Sequence, residues 1–389
     1  MSRIDPVFRG SRGSRGSIVP GVVSLCAVLL IALLPQRLSA DSAYSQVNLV
    51  SDVPGLAATT DPNLTNPWGV SFAPSSPFWI SNQASNTATL YDGAGNIVPL
   101  VVSIPSIGVI TGPTGQVFNG TSSFNLSGGS PAVFLFSTLD GQILGWNGGT
   151  TAINVATTPG AIYTGLASAN VGSANYLFAA DNAGHINVFD TNFSNVTGTT
   201  FAGKFVDPSA LPGFNPFNIQ NIGGNLYVTY AAVNAQGVGL PGGYVDEFDS
   251  SGTFLKRIAT GGSLFAPWGI TLAPATFGSF GGDLLIGQFG DGEILAYDPT
   301  TDQFLGTING MNGLPIVDPF LWSLEFRTGG ANVNTNALYF TAGYNNQHDG
   351  LFGEIQATAT PEPGTIGLFL SGLSFLVTGH LVRRQKRHA

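Results

Sequence analysis

Basic residues are scarce in the central part of this chain of 389 residues. Of the 13 Lys and Arg residues, five precede residue 41 and four follow residue 360, so 13 − 9 = 4 remain between them. The same part holds 20 of the 22 Asp and Glu residues, all except Asp5 and Glu362, and its formal charge is therefore 4 − 20 = −16. Such a surface repels phosphate backbones and anionic headgroups. The composition therefore excludes nucleic-acid binding.

Cysteine and charged residues are also rare. The single cysteine, Cys26, lies in an N-terminal apolar run, so the rest of the chain has no disulfide, thiolate metal ligand or cysteine nucleophile. Charged residues make up only 9% and apolar residues 43%, a balance that excludes an intrinsically disordered chain. The 53 glycines follow no triplet period, and no central segment has a helical period. Short strands joined by turns are therefore expected.

Residues 1–40 have the pattern of a secretory signal. Four arginines between residues 3 and 15 precede an apolar run from Ile18 to Leu34, and small residues follow near Ser39 and Ala40. We expect the Sec export machinery to recognise this segment and to move the rest of the chain across the inner membrane. An uncleaved signal anchor is the alternative interpretation.

The C-terminal segment, residues 358–389, combines three features in order. Pro361, Glu362 and Pro363 precede an apolar stretch over residues 365–382 that is long enough for a transmembrane helix. A basic cluster follows and is expected to stay in the cytoplasm: Arg383, Arg384, Lys386 and Arg387. This order resembles the PEP-CTERM sorting signal of Gram-negative bacteria. The resemblance implies an exosortase partner, transient anchoring by the helix, and a final place at the cell surface or outside the cell.

The central part is built from a repeat of about 50 residues. The segment Asn66–Pro74 recurs as Ala266–Pro274, with Pro-Trp-Gly at the centre of both copies. Weaker copies start at Pro113, Tyr163, Pro216 and Pro319. With the two strong copies counted from Pro67 and Pro267, the six starts are 46, 50, 53, 51 and 52 residues apart. Such regular spacing indicates a repeat architecture.

Each copy predicts four strands. An apolar strand follows the start, then a polar glycine-rich turn and an alternating strand that usually ends in an aromatic residue and Asp or Asn. Four short strands per repeat are typical of a propeller blade, so residues 41–357 are predicted to be one all-β domain, a six-bladed β-propeller with four-stranded antiparallel blades. The sixth copy lacks an obvious fourth strand. We expect Gln46–Val50 to supply it, so that this N-terminal strand closes the ring.

The repeat also resembles a known type of propeller. The Pro-Trp-Gly-Val segment at Pro67–Val70 and aromatic-Asp pairs such as Tyr91-Asp92 are similar to NHL-type propellers, although Ala235–Gly243 is a long insertion. From propeller to sorting tail, the chain resembles an uncharacterised family of secreted bacterial PEP-CTERM propeller proteins. That resemblance implies a fold and a destination, but it supplies no catalytic residues.

Several Asp and Asn residues are predicted to share one face around the propeller axis. Carboxylate and amide oxygens that converge there would suit Ca²⁺, and six-bladed lactonases hold a metal in such a place. The alternative is that these residues serve their own turns, which favour Asp and Asn. The candidate ligands are Asn82, Asp140, Asp181, Asp291 and Asp318, and Asn66, Asn182 and Asn215 are expected on the same face.

Two histidines and five tryptophans complete the candidates. His185 and His348 fall in equivalent turns of the third and sixth blades, so they would face each other across the axis as a pair; the alternative is two solvated turn residues. The tryptophans could form a sugar-stacking surface, but their repeat positions favour the core between blades for most of them. These residues are Trp68, Trp79, Trp146, Trp268 and Trp322.

Two function classes stay open. The first is an exported, non-catalytic propeller that needs no cofactor and binds polysaccharide or protein in the extracellular matrix or at the cell surface; the sorting signal favours it. The second is a Ca²⁺-dependent, lactonase- or gluconolactonase-like hydrolase with an axial metal site. The metal content of the purified protein discriminates between them.

Overall fold

The computed structural model describes residues 43–358 of the chain. The predicted secretory signal, the Pro361–Pro363 motif, the helix over residues 365–382 and the basic cluster lie outside the described residues. Within residues 43–358, no helix is long and apolar enough to span a membrane.

The described residues form six sheets, and the first five are antiparallel and follow one another along the chain. The first contains β3 (Pro67–Ser71), β4 (Phe78–Asn82), β5 (Thr87–Tyr91) and β6 (Ile97–Ser103). The second contains β7 (Pro113–Phe118), β8 (Phe134–Thr138), β9 (Gln142–Trp146) and β10 (Ile153–Thr157). The third contains β11 (Tyr163–Val171), β12 (Ala174–Asp181) and β13 (His185–Phe189).

The fourth and fifth sheets have four strands each, and the sixth has five. The fourth contains β14 (Asn215–Ile222), β15 (Asn225–Ala231), β16 (Tyr244–Phe248) and β17 (Phe254–Thr260). The fifth contains β18 (Pro267–Leu272), β19 (Leu284–Gln288), β20 (Ile294–Tyr297) and β21 (Phe304–Thr307). The sixth contains β22 (Leu321–Phe326), β23 (Ala337–Ala342) and β24 (Leu351–Thr358), to which β1 (Ala43–Ser51) and β2 (Thr59–Thr60) are added. The only helical segments of residues 43–358 are a 3₁₀ turn, Gly278–Phe280, and a four-residue turn, Tyr344–Gln347.

In the four-stranded sheets the outermost strand is the least buried. In the first sheet, β3 and β4 are buried along their whole length, whereas the outermost strand β6 alternates between exposed and partly buried residues. A strand covered on both faces needs a continuous apolar run, and a strand covered on one face needs only alternation. The two sequence patterns therefore distinguish inner from outer strands.

The six innermost strands form a ring around a common axis. Each contacts the next in the order β3, β7, β11, β14, β18 and β22, and β22 contacts β3. All six begin at one end of the axis, which we call the upper face, and all six end at the other, the lower face. The residues before the inner strands and the turns between second and third strands lie on the upper face.

The repeated motif forms a β-bulge in every innermost strand. In the first sheet the pairing register shifts between Pro67 and Val70, and corresponding shifts occur in the other five sheets. A bulge increases the local twist of a strand and redirects its side chains. The repeated motif therefore marks the point at which the direction of the side chains changes along each inner strand.

Glycine at the third motif position allows the inner strands to approach each other closely. A Cβ atom on Gly115 would lie less than 3.0 Å from the backbone nitrogen of Leu166 in the next sheet. Gly69 and Gly269 meet neighbouring backbone in the same way. A side chain at these positions would force the ring open.

The third sheet departs from the four-strand plan. It has three strands, and beyond them only an isolated bridge joins Phe189 to Asn195. The segment after it contributes aromatic side chains instead of a strand. The Phe201 ring contacts Phe178 of the third sheet, and Phe205 contacts both Phe178 and Phe248 of the fourth. This packing covers the outer part of the third sheet without a fourth strand.

The N-terminal strand β1 lies in the sixth sheet. It pairs antiparallel with β24, from Ala43 opposite Thr358 to Ser51 opposite Leu351. The sixth sheet thus combines the first strand of the described chain with the last.

Candidate functional site

The predicted metal ligands do lie on the upper face. Asn82 and Asp181 are the last residues of β4 and β12, and Asp140 and Asp291 lie in the turns that follow β8 and β19. Asp318 precedes β22. Each of them lies at the upper end of a strand or in a turn beside that end.

Asp140 and Asp181 bind neighbouring backbone. The Asp140 carboxylate accepts hydrogen bonds from the amides of Ile107, at 2.7 Å, and Gly108, at 3.1 Å. Burial raises the pKa of Asp140, but hydrogen bonds from Thr138, Ile107 and other donors outweigh it and hold the pKa below its usual range. Asp181 accepts hydrogen bonds from the amides of Ile162 and Ala183 at 2.9 and 3.0 Å. Both carboxylates therefore stabilise loops.

Asn82, Asp291 and Asp318 also bind groups close to them. The Asn82 amide donates to Thr89 at 2.9 Å, and Asp291 accepts from the side chain of Gln288 at 3.0 Å. Asp318 is buried and accepts hydrogen bonds from the Gln46 amide at 2.9 Å and the Tyr344 hydroxyl at 3.1 Å. Burial raises the pKa of Asp318 to about 7.

None of these hydrogen bonds joins one of the five residues to another. Across residues 43–358, no group of three or more His, Cys, Asp or Glu side chains could hold a metal ion. The axial calcium site stays a prediction.

Aromatic side chains fill the axis near the upper face. We call Trp68, Phe217, Trp268, Phe289 and Trp322 the axial aromatic cluster. The rings of Trp68 and Trp322 stack with their centroids 3.5 Å apart, and the Trp268 ring meets Trp68 edge-on at 6.3 Å. The indole nitrogen of Trp268, in the fifth sheet, donates to the Thr164 carbonyl of the third sheet at 3.0 Å. Contact between sheets that are not neighbours places the cluster on the axis.

The tryptophans are mostly core residues, as predicted, but the predicted position between blades is wrong for three of the five. Trp68, Trp79, Trp268 and Trp322 are buried, and only Trp146 is partly exposed. Trp79 stacks against Phe134 of the next sheet, as expected for core between blades. Three of the five tryptophans instead contact each other at the axis. Each of them is the second residue of its inner strand, so three sheets place a tryptophan at the same distance from the axis.

The insertion Ala235–Gly243 lies over the same end of the axis. Val233, just before it, packs against the axial aromatic cluster. The Gln347 amide of the sixth sheet donates to the Gly237 carbonyl at 3.2 Å. The insertion thus reaches from the fourth sheet to the sixth and covers part of the upper face.

The two histidines occupy equivalent turns, as predicted. His185 begins β13 and His348 follows the Tyr344–Gln347 turn, so each lies between the second and third strands of its sheet. Both side chains are exposed. Their action as a pair stays a prediction.

The lower end of the axis is open. Between the axial aromatic cluster and the lower face, the channel has a free volume of only about 10 Å³ beside Gly115, Trp268 and Gly269. This is about the space that one water molecule needs. Below this point it widens into a cavity of about 200 Å³, which we call the lower mouth. The polar residues that line the lower mouth are Ser71, Gln116, Ser168, Gln220, Asn221 and Glu325.

Gln116 has a structural task in the lower mouth. Its amide nitrogen donates to the Gly69 carbonyl at 3.2 Å and to the Trp79 carbonyl, and its oxygen accepts from the Ser81 hydroxyl at 3.1 Å. These three bonds join the second sheet to the first. The side chain is therefore fixed in one orientation.

Gln220 and Glu325 interact across the lower mouth. The Gln220 amide donates to Oε1 of Glu325 at 3.3 Å. Burial raises the pKa of Glu325 to about 8, and the Gln220 hydrogen bond only partly opposes this. The carboxyl group is therefore mostly protonated at neutral pH and can donate a hydrogen bond as well as accept one.

Sequence reasoning missed the lower mouth. Its signal lies two residues after the third motif position, where four of the six copies carry a polar side chain: Ser71, Gln220, Thr271 and Glu325. An inner strand that alternates between core and channel places this position in the channel. A comparison of the copies at that position would have identified Glu325.

Six radially arranged antiparallel sheets around a channel define the class as a six-bladed β-propeller. Two solved structures share this fold: a glucose dehydrogenase (TM-score 0.51, 12% identity, 81% of this chain and 100% of that one) and the soluble aldose sugar dehydrogenase of Escherichia coli (TM-score 0.50, 13% identity, 81% and 100%). At this level of identity the likeness shows the fold alone.

No protein-family model matches the sequence. The chain is 31% identical over 356 residues to the uncharacterized protein R648 of Acanthamoeba polyphaga mimivirus, which covers 86% of each chain. It is also 31% identical over 330 residues to the uncharacterized protein L690 of the same virus, covering 79% of this chain and 84% of that one. The chain belongs to the family that includes these two viral proteins.

Proposed function

We propose that the protein is an exported, non-catalytic propeller that binds polysaccharide or protein outside the cytoplasm. The observation that carries this proposal is the lower mouth, an open cavity lined by amide, hydroxyl and carboxyl groups. Such groups form hydrogen bonds with a polar ligand and fix its orientation. Export by the Sec machinery and sorting by an exosortase are part of the proposal, and the two terminal sequence patterns support them.

Two features of the upper face favour binding over hydrolysis. The candidate carboxylates on that face already accept hydrogen bonds from groups near them. The axial position beside them holds aromatic rings, which offer no ligand to a hard cation such as Ca²⁺. A hydrolase with an axial metal would need free carboxylates on this face and polar groups in place of the aromatic rings.

Binding is tested with the full-length protein in a non-glycosidic detergent, because a sugar detergent would compete for the site. A glycan array and a pull-down from extracellular matrix material are the two readouts, and bound metal is measured on the same sample. We expect a glycan or a matrix protein to be retained with or without added Ca²⁺. Lactone hydrolysis that requires Ca²⁺ would overturn the proposal in favour of the second class.

Sorting is tested in a bacterium that carries an exosortase. We expect the wild-type chain to lose its C-terminal segment and to be found outside the inner membrane. Replacement of Pro361, Glu362 and Pro363 by alanine should leave the full-length chain in the membrane fraction, because the processing enzyme no longer recognises it. Equal processing of the two chains would contradict the sorting proposal.

We also propose that β1 closes the ring. Its pairing with β24 and the Gln46 hydrogen bond to Asp318 support this role, since they tie the start of the described chain to the sixth sheet. Without β1, β24 would be an unpaired edge.

A further inference from the structure

We infer that the lower mouth binds the terminal residue of an uncharged glycan, and that Glu325 and Gln220 position one of its hydroxyl groups. This inference rests on the proposed function and specifies its ligand. It is carried by the lining residues, the volume and the charge of the cavity.

The charges around the lower mouth exclude an anionic ligand. No basic residue lines it, and the four basic residues of the central part are engaged elsewhere. Arg257 forms ion pairs with Asp207 and Asp246, Lys256 forms one with Asp302, and Lys204 donates to Thr253. Arg327 is buried, with its guanidinium over the Phe72 and Phe78 rings. A phosphate or a uronate would therefore find no counter-charge.

The small volume of the cavity and its narrow upper end select the end of a chain. The lower mouth holds about 200 Å³, below the ~300–1,000 Å³ of most small-molecule sites. Above the lower mouth, the free volume of the channel is only about 10 Å³, and Trp268 is one of the residues that line it. A polysaccharide cannot pass through such a blind cavity. One ring at a chain terminus can enter it.

The rim of the lower mouth has both apolar and polar surface. Phe72 and Phe118 line the rim and are partly exposed, while the Phe72 ring packs against Phe78 and the Phe118 ring against Phe134. The part of each ring that stays exposed offers an apolar surface to the C–H face of a sugar. On the opposite side β11 and β14 extend further than the other inner strands. There the Asn221 amide donates to the Ser168 carbonyl at 2.8 Å and joins these two strands.

Glu325 makes binding depend on pH. No other titratable side chain lines the cavity from β3, β7, β11, β14 or β18, and Arg327, which directly follows β22, faces Phe72 and Phe78. A ligand that covers the mouth removes water from Glu325, and this costs more when the carboxyl group is ionised and has no counter-charge. The neutral form is therefore the binding form, and affinity should fall as the pH rises through about 8.

The test uses saturation-transfer NMR on the full-length protein in a non-glycosidic detergent. The probes are D-glucose, D-galactose, D-mannose and N-acetyl-D-glucosamine, with D-glucuronate as the anionic control. We expect at least one neutral sugar to bind at pH 6 and to bind about tenfold more weakly at pH 9, and glucuronate not to bind. Equal binding of glucuronate would overturn the inference.

Two variants assign the effect to this carboxyl group. Glu325→Gln should bind at pH 6 and keep its affinity at pH 9, because the amide does not ionise; Glu325→Leu should lose binding. Glu293→Gln, on the upper face, is the matched control and should behave like the wild-type protein. Thermal unfolding confirms that each variant is folded.

The outcomes separate the inference from the proposed function. A neutral glycan that binds the wild-type protein and Glu325→Leu equally would place binding elsewhere, overturning the inference and leaving the proposed function intact. A pH profile shared by the wild-type protein and Glu325→Gln would exclude the role of this carboxyl group. Failure of every glycan and every matrix protein to bind would overturn the proposed function itself.

Discussion

The repeated glycine shows how one residue type controls the radius of the ring. At Gly115 the inner strands β7 and β11 come so close that the space for a Cβ atom is occupied by the backbone of Leu166. Backbone cannot move aside as the end of a flexible side chain can. The sequence motif therefore has a steric cause, which lies in the neighbouring sheet.

Gly115→Ala should destabilise the protein by about 1–3 kcal/mol or more, because the methyl group must push two inner strands apart. Gly128→Ala is the matched control, since a Cβ atom there meets nothing within 4 Å. Urea unfolding measures the difference. Equal midpoints for the two variants would show that the strands separate at no cost.

Single residues also show where sequence reasoning succeeds and where it stops. Turn chemistry placed Asp140 and Asp181 on the correct face, because Asp before glycine or near a strand end is a local signal. Whether their oxygens converge depends on the loops they bind, and those contacts join residues up to 33 positions apart. Glu325 was missed because its environment is created by five different inner strands.

At the scale of the element, the strand β1 has the largest consequence. The strand pattern of the repeat left the sixth copy without an obvious fourth strand, and Gln46–Val50 was expected to supply it. The three-stranded third sheet could not be foreseen in this way, because the aromatic rings of Phe201 and Phe205 replace a strand only through three-dimensional packing.

Removal of residues 1–51 should abolish cooperative unfolding or cause aggregation, because it exposes the edge of β24 and the buried Asp318 loses its bond from Gln46. Removal of residues 1–40 is the control and should leave the unfolding transition unchanged. Circular dichroism during heating and size-exclusion chromatography report the two outcomes. A stable monomer without β1 would contradict the proposed role of β1 in ring closure.

At the scale of the whole molecule, buried carboxyl groups set the pH dependence of stability. Asp318 has a folded-state pKa of about 7, raised by burial, against about 3.9 in an unfolded chain. A group whose pKa is raised on folding stabilises the fold fully below the unfolded pKa and loses this contribution as the pH rises through the folded pKa. Glu325 acts in the same direction, up to about pH 8.

The free energy of unfolding should therefore fall between about pH 4 and pH 8, and Asp318→Asn should reduce this fall by an amount on the order of a few kcal/mol. Asp92→Asn is the control. Its hydrogen bonds from Asn96 and Asn332 outweigh burial and lower its pKa, so its contribution changes only below about pH 4. Urea midpoints measured at intervals of one pH unit test both variants. An unchanged slope in Asp318→Asn would show that this carboxyl group ionises without cost.

Because Ala43 pairs with Thr358, the propeller chain could begin and end at another turn. These residues are neighbours across one sheet, and the Thr358 hydroxyl donates to the Ala43 carbonyl at 2.7 Å. A short Gly-Ser linker between them, with new termini at the exposed turn Gly128-Gly129, would give a circular permutant. Such a molecule should keep every blade, and its new termini would lie on the second blade, two blades away from the sheet that holds Ala43 and Thr358.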